Sequence, residues 1–140
     1  MMMDMEGFAR DYLTRARERI TDASSALSRK SYPEVIRYSQ EATELSLKAS
    51  LRFVGVEYPK VHDVGDVLTA CREKFPAWFA SEVPVMSKFS RVMAEKRSAA
   101  LYGVEASGKT PGEIFNDPEE AEEALGEVRR IHELCRRLIL

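Results

Sequence analysis

Apolar residues recur at three- and four-residue steps through most of the chain, and nowhere do they alternate with a period of two. The chain is organised around SYPEVIRYSQEATELSLKASLRFVGVEYPKVHDVGDVL, Ser31 to Leu68, which reads as one long helix, a proline-containing turn and the start of a second helix. Within it Val35, Tyr38, Ala42, Leu45, Ala49 and Phe53 form one stripe, which predicts a long central helix. Ser31 and Glu34 have the spacing of a capping box, and Pro33 falls in the first turn, where its missing N–H costs nothing. Glu41, Glu44, Lys48 and Arg52 follow the same steps on an adjacent charged face, with Glu44 placed four residues before Lys48, the favourable order for an ion pair. Gly55 is the expected C-cap glycine, and Pro59 prevents continuation. Asp63 is expected to cap a shorter third helix that buries Val64, Val67, Leu68 and Cys71.

The flanking segments read the same way. A first helix is expected from about Met5 to Arg29, capped by Asp4, with Ala9, Leu13, Ala16, Ile20, Ala23 and Leu27 inward. Phe75 to Pro84 is aromatic and proline-punctuated, a packed loop or broken turn of helix in which Trp78 is expected to plug the core. Met86, Phe89, Met93 and Ala100 mark a further helix, and Tyr102 to Asn116 a Gly-, Ser-, Thr- and Pro-rich loop whose Gly103–Thr110 part reads as mobile and polar. Asp117-Pro118-Glu119-Glu120 is a strong helix start, followed by Ala121, Ala124, Leu125, Val128, Ile131, Cys135 and Leu138 on one side. The pattern predicts an all-α fold, an antiparallel up-and-down bundle of four to five helices, with residues 1–140 as one domain.

Composition narrows the function classes. The 140 residues are 44% hydrophobic and 31% charged, a globular balance, and the net charge of −2 carries no global nucleic-acid signature. The first half is locally basic through Arg10, Arg15, Arg17, Arg19, Arg29 and Lys30, which fits either a solvated helix face or a phosphate-contacting one. No apolar run approaches the roughly 18 residues of a membrane span. The N-terminus lacks a signal-peptide core, and Cys71 and Cys135 show no metal or disulfide spacing, so a cytoplasmic protein with reduced thiols is expected. Neither a metal nor another cofactor is expected.

Two adjoining segments carry candidate chemistry. GVEASGKT, Gly103 to Thr110, matches the phosphate-loop pattern in which backbone N–H groups and a lysine wrap phosphates. A working phosphate loop needs a strand before it and a helix directly after it; here a helical segment precedes it and Pro111-Gly112 follows. Weaker phosphate binding by Lys109 and free loop amides stays open. The second segment is Arg97 to Tyr102. Arg97 lies on the apolar side of its helix, four residues after Met93, and needs an acceptor, for which Glu41 or Glu44 is expected. It serves either as a structural ion pair or as a phosphate ligand in a dimer cleft. His62 is read as a packed or hydrogen-bonded turn residue that fixes the third helix, and His132 as half-buried beside the last helix's stripe.

The helical hairpin, the A-x-E-x-x-x-K-A run at Ala42, Glu44, Lys48 and Ala49, and P-x-x-H-D at Pro59, His62 and Asp63 together resemble a HEPN domain. So do the arginine near the end of the fourth helix and the final helix starting with Glu119 to Leu125. The resemblance spans roughly Phe8 to Leu138 and implies a bundle that pairs as a homodimer. It also implies a role in toxin–antitoxin-like systems with a small nucleotidyltransferase as partner, and in many members metal-independent RNase activity. Those nucleases carry R-x(4–6)-H, but the residue five after Arg97 is Tyr102, and no histidine follows before His132. A phenol is a poor general base at neutral pH. The sequence therefore favours a nucleotide- or RNA-binding component using Arg97, Tyr102 and Lys109, with Glu41, Glu44, His62 and Asp63 as structural partners. The alternatives are an RNase using Arg97 in a dimer cleft and a purely structural dimeric adaptor.

Overall fold

The computed structural model describes residues 5–140; Asp4, the expected cap of the first helix, lies outside them. Four long helices make the bundle: α1 (Met5–Ser28), α2 (Tyr32–Phe53), α5 (Val83–Tyr102) and α7 (Pro118–Ile139). Three short ones connect them: α3 (Gly65–Ala70), α4 (Ala77–Ala80) and α6 (Pro111–Ile114). Among the described residues there is no strand, only an isolated antiparallel bridge between Val104 and Lys109. The fold is all-α.

Helix α2 is the axis, in contact with α1, α5, α6 and α7. A helix with neighbours on several sides is not built as a single greasy stripe. Val35, Ala42 and Ala49 are buried as the periodicity predicts, but Tyr38 and Leu45 are only half-buried and Phe53 is exposed. Ser39, Gln40, Thr43, Ser46 and Ser50 are buried instead. Small side chains on α2 meet Ala9, Ala16, Ala23 and Ala26 of α1, all fully buried, so the two helices pack closely along their length. Thr43 and Ser50 return their hydroxyls to the Ser39 and Leu47 carbonyls within the same helix.

The helix ends follow local chemistry with two corrections, one at α3, where Val64 rather than Asp63 holds the cap position and makes no side-chain cap, and one at α2. Gly55 has φ +74°, its N–H bonds the Arg52 carbonyl, and the Val56 N–H reaches back to Leu51; these paired bonds and the left-handed glycine close the end of α2. Asp117 caps α7 by accepting the Glu119 N–H at 2.9 Å. The expected Ser31–Glu34 capping box is not formed. Ser31 makes no side-chain cap, and the Glu34 carboxylate turns to Arg37 at 3.2 Å, one turn further on.

Trp78 is the third correction. It is 39% exposed, with the Arg137 guanidinium 4.8 Å from its ring centroid, and Phe79 plugs the core in its place. Phe79 packs with Phe75, Leu47, Leu51, Leu68, Met86 and Ile131 at one end of the bundle. Val35, Leu125 and Val128 fill the other end, while Ile36, Met93, Ala100 and Phe115 close the seam under α6.

Candidate functional site

Arg97 lies near the C-terminal end of α5, on the side facing α2. Its Nη1 donates to Oε1 of Gln40 at 2.6 Å and to Oε2 of Glu41 at 3.2 Å. Only about a quarter of either charged side chain is exposed, 23% for Arg97 and 24% for Glu41, so each needs the other. Gln40 passes the connection on, donating from Nε2 to Glu44 Oε1 at 3.0 Å. Glu44 also accepts from Lys48 Nζ at 2.8 Å, and His62 Nδ1 lies 2.8 Å from its Oε1. Burial alone would raise the Glu44 pKa, but the bonds from Lys48, Gln40 and His62 together hold it below the usual carboxylate range. It is an anion fixed on three sides.

Arg97, Glu41, Glu44 and His62 open onto one groove of about 220 Å³. Helix α1 contributes Arg15, Glu18 and Arg19, α2 contributes Glu41, Glu44 and Leu45, α5 contributes Arg97, and the α2–α3 loop contributes His62. His62 is 55% exposed at its side chain, and among the described residues its Nε2 has no partner. Glu44 and His62 also wall an adjoining hollow with Tyr12, Lys48, Arg52 and Tyr58. There Arg52 Nε donates to the Tyr58 hydroxyl at 3.2 Å and its guanidinium stands over the Tyr58 ring.

His62 thus has a bond, but to the central helix rather than to α3. Asp63 fixes α3: its Oδ1 accepts the Gly65 N–H at 2.9 Å and the Ser90 hydroxyl at 2.8 Å. The latter bond ties the start of α3 to α5. Gly65 leaves no room for a larger residue, because a Cβ there would lie 2.8 Å from the Ser87 carbonyl.

Tyr102 and Lys109 stand apart from this groove. Tyr102 is 74% exposed at the end of α5. The Gly103–Thr110 segment is an ordered tight turn rather than a mobile loop: Val104 and Lys109 exchange backbone bonds of 2.9 and 3.1 Å. The Ser107 and Gly108 amides bond Val104 and Glu105, and the Thr110 hydroxyl caps α6 at the Glu113 N–H. Most of the backbone amides a phosphate loop would offer, those of Val104, Ser107, Gly108 and Lys109, are spent inside the turn, as is the Thr110 hydroxyl. Gly103 is required for the turn itself, since a Cβ there would sit 2.3 Å from the Lys109 carbonyl oxygen.

His132 is half-buried, its Nε2 3.2 Å from the Leu13 carbonyl, and burial lowers its pKa against a smaller opposing pull from that bond. Cys71 and Cys135 are free and buried, and burial pushes both thiols up. Among the described residues, no three His, Cys, Asp or Glu side chains come together to hold a metal, and no helix is long and apolar enough to cross a membrane. The periodicity did not mark Gln40, Arg15, Glu18 or Arg19 as contributors to the site. Gln40 is hidden as a polar residue on a buried helix face. Arg15 and Arg19, one turn apart on α1, gave a signal only as part of the basic bias.

Arginines facing a groove can hold an anion, and an imidazole bonded to a fixed carboxylate can move a proton. The model of the HEPN domain family matches residues 9–138, nearly the whole chain. The chain belongs to the HEPN domain family. No curated protein and no solved structure matches it.

Proposed function

We propose that this HEPN protein binds a nucleotide or RNA phosphate in the Arg97 groove, as a single-domain component of a cytoplasmic toxin–antitoxin-like pair. One observation carries the reading. Among the described residues Arg97 bonds through Nη1 alone, to Gln40 and Glu41, which leaves Nε and Nη2 for a ligand's paired oxygens. Arg15 and Arg19 line the same groove and add positive charge to it, although Arg19 Nη2 is paired with Asp22 at 2.9 Å. Of the three carboxylates there, Glu41 and Glu44 are already bonded within the protein, which leaves Glu18 as the one facing the groove's three arginines.

The expected assembly is a homodimer that works with a small nucleotidyltransferase. The exposed Val85 beside half-buried Phe89 and Val92 on α5 supplies an apolar strip for a second subunit.

Fluorescence anisotropy with labelled single-stranded RNA and with a labelled adenine nucleotide tests the site. Arg97→Ala should weaken binding about tenfold or more, the loss expected for a charge-assisted bond. Lys109→Ala should leave it within about twofold, since that side chain is outside the groove. Equal affinity of wild type and Arg97→Ala would sink the reading.

A further inference from the structure

We propose that the groove between α1 and α7 is a second anion site, built for a phosphate-sized dianion, either free or as a small monoester. It shares no residue with the Arg97 groove and stands whether or not that groove holds a phosphate.

The basic bias of the first helix resolves into two stripes. Arg10 and Arg17, seven residues apart, share one face of α1, while Arg15 and Arg19 lie about half a turn round and line the Arg97 groove. Across from Arg10 and Arg17, α7 brings His132 and Arg136, one turn apart. The four enclose a groove of about 220 Å³, with Leu13 and Leu140 as its apolar edge. Among the described residues no carboxylate side chain lines it. The Arg97 groove differs, because Glu18, Glu41 and Glu44 stand among its cations.

Three guanidiniums therefore share one space without a counter-charge inside it. Arg10 and Arg136 pair along their own helices, with Glu6 at 3.0 Å and Glu133 at 2.7 Å. Both pairs are about half exposed, so solvent screens them and they hold the guanidiniums weakly. Arg17 forms no ion pair among the described residues. The imidazole feels this field. Burial is the main cause that keeps His132 from charging, and Arg17 and Arg136 add to it, against smaller opposing pulls from the Leu13 carbonyl and Glu133. His132 Nε2 is taken up by the Leu13 carbonyl at 3.2 Å, which leaves Nδ1 to donate to a ligand once the ring is charged. A tetrahedral dianion suits such a space, because its oxygens match paired guanidinium N–H groups. The volume is below the roughly 300 Å³ of ordinary ligand pockets, which limits the occupant to a small anion. A bound dianion reverses the field at His132, so anion binding and ring protonation strengthen each other.

The chain has two histidines, one in each groove, so imidazole NMR reads both sites in one spectrum. The full chain is titrated with sulfate, which stays a dianion from pH 8 to pH 5.5, and then with inorganic phosphate and butyl phosphate. Each titration is matched by sodium chloride of equal ionic strength. The His132 signals should shift and saturate, and bound sulfate should raise the ring's titration midpoint by about half a pH unit or more. By linkage, wild type should then gain about threefold or more in sulfate affinity from pH 8 to pH 5.5, and His132→Gln should lose that gain. Arg17→Gln and Arg136→Gln should each weaken sulfate about fivefold or more, as expected for loss of a charge-assisted bond. Arg97→Gln should leave the His132 response within about twofold. Tighter binding of butyl phosphate than of phosphate supports a monoester as ligand, and equal affinity supports the free anion. A shift that sodium chloride reproduces, a wild-type affinity that stays flat with pH, or sulfate affinity unchanged in both arginine variants overturns the proposal. Loss of the His132 response in Arg97→Gln also overturns it, by placing the anion in the other groove. So does a short single-stranded RNA that shifts His132 at lower concentration than sulfate, which would make the groove a nucleic-acid surface.

Discussion

The imidazole of His62 and the carboxylate of Glu44, 18 residues apart in the chain, meet at 2.8 Å. The contact joins the loop after α2 to the middle of α2, and Glu44 brings Lys48 and Gln40 to the same point. Stability should therefore depend on the charge of Glu44. A carboxylate whose folded pKa lies below the ordinary 4.5 gives stability that is fully present above that value. It is lost as pH falls through the lower folded value, because the unfolded chain takes up the proton first. Glu44→Gln should cost about 1–3 kcal/mol at pH 7, the range for a bond to a charged group. It should also flatten the acid side of the stability curve, measured by urea unfolding at steps from pH 6 to pH 3. A variant whose stability falls as steeply with acid as wild type would show that Glu44 is not the group responsible.

Asp63 holds α3 against α5 through one oxygen shared by the Gly65 amide and the Ser90 hydroxyl. Asp63→Ala should lose about 1–3 kcal/mol, since it removes the acceptor of both the Gly65 N–H and the Ser90 hydroxyl. Ser90→Ala deletes the same Ser90–Asp63 bond and also the acceptor of the buried Val64 N–H, so it should lose a similar amount. The two losses should fall short of additive in the double variant, because the variants delete one shared bond. Strict additivity in chemical denaturation would mean that the Ser90 bond contributes nothing.

The long helices, the ends at Gly55 and Asp117 and the Arg97–Glu41 pair were legible because each depends on near neighbours or on one strong rule: a buried arginine finds an acid. What was not legible depended on which faces meet. Trp78 and Phe79 are adjacent and both aromatic; only the packing of α4 against Phe75 and the position of Arg137 decide which one is inside. The polar residues of α2 became interior because helices cover it on several sides, a fact that periodicity within one helix does not contain. His62 read as a turn residue from its neighbours in sequence, whereas its partner is one face of a helix already passed. The groove is a tertiary object, assembled from α1, α2, α5 and a loop.

The adjacent aromatics give a direct test of the packing. Phe79→Ala removes a fully buried ring and should cost about 3–5 kcal/mol. Trp78→Ala removes a partly exposed ring and its stack on Arg137, which should cost about 1 kcal/mol. Thermal unfolding followed by circular dichroism ranks the two. A Trp78 variant less stable than the Phe79 one would reverse the assignment of the core plug.

Two glycines of the phosphate-loop lookalike separate turn geometry from ligand binding. Gly103 and Gly108 both have positive φ, +73° and +71°. Gly108 has open space around it and sits in the left-handed helical region, so Gly108→Ala should cost about 1–2 kcal/mol. Gly103 has ψ −161°, a region that only glycine occupies readily, and a Cβ there meets the Lys109 carbonyl. Gly103→Ala should be clearly the more destabilising in urea unfolding. If the turn instead cradled a phosphate, added ATP would stabilise wild type and fail to stabilise Gly108→Ala; equal response of both proteins is the expected result.

His132 should give the protein a second, separate pH dependence. Burial between α7 and α1 disfavours its charged form, and the Leu13 carbonyl only partly offsets that. The folded pKa is therefore below the ordinary 6.5, and both states are neutral above it. As pH falls below 6.5 the unfolded chain binds a proton that the folded chain refuses, so stability drops until the folded value is passed. The slope from this one group can reach at most about 1.4 kcal/mol per pH unit. His132→Gln keeps a donor for Leu13 but does not titrate, so its stability should stay level from pH 7 to pH 5.5 where wild type declines. The signal is distinct from that of Glu44, which acts further into acid. Unfolding curves of wild type, His132→Gln and Glu44→Gln at half-unit steps would separate the two windows, and a wild-type curve that stays flat down to pH 5 would show that His132 gains its proton as readily in the fold as out of it.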